Sequence, residues 1–176
     1  MRALLLLAVS LSVPACAQAP QPGAAIIIRS DSKMFDSAPP VSDAVVKVLL
    51  ATPSAKFALN YLSADERENA AKLFRAAEIH VRDPDEDDMI VSGRGWMNGA
   101  DNDWFWIVRT PHTHPEVIFF DGGSTVELLN TRTNGYKDIR VFWSSAAESV
   151  EREFRFIRGK YRRTSQKSKP VDGDSR

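Results

Sequence analysis

The sequence predicts an α+β fold, with N-terminal helices packed on an antiparallel β-meander of six to eight strands. Three observations predict it. Apolar residues recur at helical spacing from about residue 42, and from Ile79 onward they alternate with a period of two. Glycine and asparagine–glycine pairs then punctuate the chain at short intervals, as turns between strands do. The 176 residues are 43% hydrophobic and 26% charged, which supports one packed domain.

In chain order, residues 1–17 read as a secretory signal peptide. Arg2 supplies the charge, Leu4 to Val13 is an apolar run interrupted by two serines, and Pro14 ends it. Ala15-Cys16-Ala17 presents small residues for cleavage. The run is shorter than the roughly 20 residues a membrane span needs. Val13-Pro14-Ala15-Cys16 also resembles the lipobox of bacterial lipoproteins, which implies a lipid anchor at Cys16. The expected location is therefore periplasmic, with a membrane-anchored lipoprotein as the alternative. Cys16 is the single cysteine, so neither a disulfide framework nor a cysteine nucleophile is expected in the mature chain.

Residues 18–40 read as a linker with one short strand at Ile26, Ile27 and Ile28. Residues 41–163 form the single domain. A first helix follows Ser42 as N-cap, with Val45, Val46, Leu49 and Leu50 on one face and Pro53 just past its end. Ser63-Ala64-Asp65-Glu66 is a capping box that opens a second helix, whose face carries Ala70, Ala71, Phe74 and Ala77. Phe57, Leu59 and Tyr61 are expected to close a small cluster against these helices. Strands follow around Ile79, Met89, Trp104–Val108, Val117–Phe120, Val126, Ile139–Trp143 and Phe154–Phe156. Segments 104–108 and 117–120 are apolar on both faces, which predicts the sheet centre. Residues 164–176 show no apolar pattern and are expected to form a disordered tail.

Two segments align with one another. Asp88-Met89-Ile90-Val91 leads to Phe105–Arg109, and Asp138-Ile139-Arg140-Val141 leads to Phe154–Arg158. With their preceding turns, Asp83–Asp88 and Asn134–Asp138, they resemble the turn-plus-strand signature of FG-GAP-type propeller blades. The resemblance implies locally a turn feeding a strand, with calcium or partner binding as that family's use of such turns. The remainder is similar to exported bacterial proteins of like length, which implies no activity.

Asp83, Asp85 and Asp87 have the alternating spacing of a calcium loop but lack its glycine and closing glutamate, so a solvated acidic turn is expected. His112 and His114, with Glu116 or His80, could supply zinc ligands, yet the flanking Pro111 and Pro115 favour a loop. No metal and no cofactor is therefore expected. No Gly-x-Ser-x-Gly elbow occurs, and no catalytic residue is named. Trp104 and Trp106 share a face with Val108 and read as core. Trp96 and Arg94, in the glycine-rich loop Gly93–Gly99, are the candidate binding residues.

The 23 basic and 23 acidic residues balance, which argues against a nucleic-acid partner. Acid gathers at 83–88 and base in the last strands. The expected function is a non-enzymatic binding module with a protein or cell-envelope partner. The alternatives are an inhibitor or immunity protein presenting Asp83–Asp88 to a periplasmic enzyme, and a metal-assisted or carboxylate-based hydrolase.

Overall fold

The computed structural model describes residues 25–36, 40–82, 88–97, 102–110 and 114–171. The expected signal segment with Cys16, the linker to residue 24, the acidic run 83–87 and His112 lie outside the described residues.

Among the described residues the chain is mostly β, with strands β1 (Ile26–Ile28), β2 (Phe74–Ile79), β3 (Asp88–Gly93), β4 (Asp103–Arg109), β5 (Glu116–Gly123), β6 (Thr125–Thr133), β7 (Tyr136–Ser144), β8 (Glu148–Ile157) and β9 (Lys160–Pro170). They form two antiparallel sheets, ordered β2-β3-β4-β5 and β1-β6-β7-β8-β9. This corrects the expected α+β arrangement of helices on one meander. Helices are short: α1 (Asp43–Leu50), α2 (Pro53–Ala58) and α3 (Ala64–Glu68).

The four-stranded sheet has a core on each face. On one side Val45, Val46 and Leu49 of α1 pack with Phe74, Val91, Trp106 and Val108. On the other, Ile90, Phe105, Ile107 and Ile118 meet Val126, Ile139, Val141 and Phe154 of the five-stranded sheet. The order is helices, four-stranded sheet, five-stranded sheet. Period-two alternation shows that one strand face is buried, but it is blind to what buries it. A meander over one sheet and a meander crossing into a second therefore look alike in sequence. For the same reason 117–120 is an edge strand, β5, rather than a central one. Its two apolar faces reflect a covered layer, whereas β4 is both covered and interior.

Local signals set the helix starts. The Ser42 hydroxyl accepts from the Val45 N–H at 3.4 Å. Pro53 opens α2 in its first turn, where a missing N–H costs nothing. Glu66 accepts from the Ser63 N–H at 2.8 Å and Ser63 from the Glu66 N–H at 3.3 Å, completing the capping box. That backbone donor holds the Glu66 carboxyl below its usual range.

The helix that begins there stops at Glu68 instead of running to Ala77. Residues 70–73 form a 3₁₀ turn, and Phe74–Ile79 become β2, paired along its length with β3. Alanines favour helix locally, but the ladder to β3 and burial of Phe74 and Ile79 in different cores outweigh that preference. Phe57 and Tyr61 do contact each other, with ring centroids 5.4 Å apart, yet they are 64% and 68% exposed.

The expected tail is likewise corrected. Residues 160–170 are β9, laddered to β8 from Lys160 opposite Ile157 to Pro170 opposite Glu148, and only 172–176 lie outside the described residues. Tyr161 is the one buried side chain on β9. An edge strand is held by its backbone ladder and shows no apolar alternation to read.

Tyr161 carries a prediction. Its hydroxyl donates to the Lys137 carbonyl at 2.8 Å. Burial pushes its phenol far above the usual value near 10, and the charges of Asp88 and Asp138 push the same way. The unfolded chain loses this proton from about pH 10 while the folded chain keeps it, so native stability falls as pH rises past that point. The slope expected from one such group is about 1.4 kcal/mol per pH unit. Tyr161→Phe should cost about 1 kcal/mol for the hydrogen bond and flatten the alkaline fall. Urea midpoints followed from neutral to alkaline pH check this; an equally steep fall in the variant would assign it to other groups.

Candidate functional site

The candidate site is a cleft of about 300 Å³ where β2, the edge of the four-stranded sheet, meets the segment following β1. Three cations line it, Lys72, Arg75 and Arg94, against one carboxylate, Asp36, with Phe35 and Phe74 supplying apolar wall.

Each cation is placed by a different local feature. Lys72 stands on the 3₁₀ turn that replaces the expected helix end. Arg75, the second residue of β2, lies over the Phe35 ring with its guanidinium carbon 5.5 Å from the centroid. Phe35 itself is 5% exposed and belongs to the core between the sheets. One Arg75 amino group donates to the Ser30 carbonyl at 2.6 Å. Its Nε is buried and has no hydrogen-bond partner, which leaves a donor directed toward no protein acceptor. Arg94 follows β3 directly, where its backbone N–H donates to the Leu73 carbonyl at 2.8 Å. That bond sets the loop of Arg94 against the turn of Lys72. Among the described residues, none of the three cations makes an ion pair.

Chemically this is a concave, partly apolar pocket with converging positive charge. Its volume sits at the small end of ligand pockets. A carboxylate or phosphate group is the kind of ligand that such guanidinium and ammonium groups accept.

Of the two residues named from sequence, Arg94 lines this cleft. The backbone of Trp96 lies in the turn Gly95–Met97, and its side chain is outside those described. Met97 from the same turn is buried in the helix-side core. Lys72 and Arg75 were missed by sequence reading. A lone cation in an expected helix carries no signal, and only the pairing of Phe74 with Gly93 brings them to Arg94.

The other sequence features fall elsewhere. Asp88 lies opposite Arg109 and Arg109 opposite Glu116, so these ends of β3, β4 and β5 lie side by side. Glu116 is engaged by Arg109 at 2.6 Å, and His80 lies 3.5 Å from Glu78. Among the described residues no three histidine, cysteine or carboxylate side chains converge as a metal site. Trp106 is fully buried, with Trp104 packed beside it at 6.0 Å. The aligned segments are the hairpins β3–β4 and β7–β8, which lie in different sheets. No described helix is long and apolar enough to cross a membrane. No protein family, no curated protein and no solved structure matches the chain.

Proposed function

We propose that the chain is an exported, non-enzymatic binding module of the bacterial cell envelope that holds an anionic group of its partner in the Lys72–Arg75–Arg94 cleft. The observation that carries this reading is the cleft itself: Lys72, Arg75 and Arg94 line one preformed concavity that holds a single carboxylate, Asp36. The supporting walls are rigid, because Phe35 and Phe74 are each anchored in a core. Export is supported by the charge, apolar run and small-residue order of residues 1–17.

The test titrates inorganic phosphate and acetate into the protein at constant ionic strength, reading thermal shift and heat of binding. A ligand held only by the native state must raise its melting temperature. Affinity on the order of millimolar is expected for so small an anion, and Lys72→Ala with Arg94→Ala should weaken it about tenfold or more. Neither variant touches a core, so the fold should persist. No shift in the wild type with either anion, beyond a matched chloride control, would overturn the reading.

A further inference from the structure

We propose that the outer edge of the five-stranded sheet binds a linear acidic polysaccharide, laid along β9. This site is separate from the cleft and does not depend on it.

Strand parity puts the cations on one face. Tyr161 turns into the core, so Lys160 and Arg162 turn out. The bulge near Glu153 and Phe154 resets the alternation, after which Lys167 lies opposite Glu151 and Lys169 opposite Ser149. Arg155 on β8 lies directly opposite Arg162. Lys167 reaches Glu151 at 3.5 Å. Among the described residues, Arg155, Lys160, Arg162 and Lys169 make no ion pair. All are exposed. Like charges placed directly opposite repel, and a bound polyanion would relieve that repulsion. From Lys160 to Lys169 the row runs about 30 Å, with neighbouring outward positions about 6.7 Å apart.

Lysines on an edge strand also protect it from pairing with another chain. That purpose does not explain Arg155, which sits on an interior strand, nor its placement opposite Arg162.

The shape of the charge selects the partner. Further inward, Glu127 of β6 and Glu151 and Glu153 of β8 surround Arg140 of β7 at 3.5, 3.8 and 3.2 Å. A flat anionic membrane resting on this face would press against all three carboxylates, while a narrow polymer along β9 stays clear of Glu127 and meets Glu151 where Lys167 already engages it. No aromatic side chain is exposed on β9, so bases would find no stacking platform. Among the described residues no strand pairs with the outer edge of β9, whose N–H and C=O groups sugar hydroxyls can bond.

The experiment measures binding of the full chain to a fluorescein-labelled sulfated oligosaccharide long enough to span the row, across a salt series. Two double variants are compared with wild type: Arg162→Glu with Lys169→Glu on the row, and Lys47→Glu with Lys56→Glu on the helices. Both remove the same net charge, and all four residues are exposed. The proposal expects the row variant to lose affinity by about tenfold or more and its salt slope to shrink by about two, with little change in the helix variant. Arg162→Glu faces Arg155 across the ladder, so the row variant should fold normally; circular dichroism and melting check it. Equal losses in both variants would mean attraction by net charge alone and overturn the proposal. So would tighter binding, sensitive to the row variant, to phosphatidylglycerol vesicles or to a single-stranded oligonucleotide than to the glycan.

Discussion

Gly123→Ala should be among the most damaging single-methyl additions in this protein, lowering stability by about 3 kcal/mol. β5 passes into β6 through Ser124 alone, so the chain leaves one sheet and enters the other within one residue. The Ser124 N–H donates to the Phe142 carbonyl at 2.7 Å, which bolts the corner to β7. A Cβ at Gly123 would overlap that same carbonyl oxygen and stand 2.5 Å from the Val141 Cγ1. Val141 is fully buried, and the carbonyl belongs to a laddered strand, so neither can yield cheaply. A loss of this size is a large part of typical domain stability and lowers the melting temperature by about 10 °C. Gly122→Ala is the control. Its Cβ would meet Trp104 Cδ1 at an ordinary 3.5 Å, and little change is expected. Urea denaturation of the pair decides; if the two variants prove equally stable, the corner relaxes and the close approach of β5 to β7 does not constrain the fold.

Trp106→Ala should cost about 4 kcal/mol. The side chain is fully buried at the junction of the four-stranded sheet and the helices. Its ring meets Phe74 edge-on at 5.6 Å and lies 5.1 Å from Phe120, contacts that a methyl group cannot replace. The indole N–H also reaches the Thr52 hydroxyl at 3.4 Å, tying the α1–α2 junction to the sheet. Because Phe74 also walls the cleft, the variant should weaken anion binding there alongside its loss of stability. Chemical denaturation gives the first effect and titration with phosphate the second. A loss below about 1 kcal/mol would mean that the helices contribute little to holding the sheet.

Much of the local structure was legible in the residues. Ser42 and the Ser63–Glu66 pair announce helix starts because capping is settled within three residues. Alternation announces most of the strands for the same reason. Legibility failed where a partner distant in sequence decides. Ala70–Ala77 has helical composition, but β3 supplies the ladder that makes residues 74–79 a strand. Residues 164–170 have tail-like composition, but β8 pairs with them. The candidate site follows this pattern. Arg94 was visible from its glycine-rich loop, whereas Lys72 and Arg75 acquire meaning only beside it.

By itself, then, the sequence determined where α1 and α3 begin, which strand faces are apolar, and that acid and base are segregated along the chain; Pro53, read as the end of one helix, opens α2. All three depend on residues close in sequence. Only the tertiary structure decided that the strands divide into two stacked sheets, that Lys72, Arg75 and Arg94 share a cleft, and that basic residues line one free edge. Those outcomes depend on which backbone ladders form between distant segments. Hydrogen bonds between peptide groups are nearly the same for every residue, so their choice of partner leaves little trace in side-chain identity.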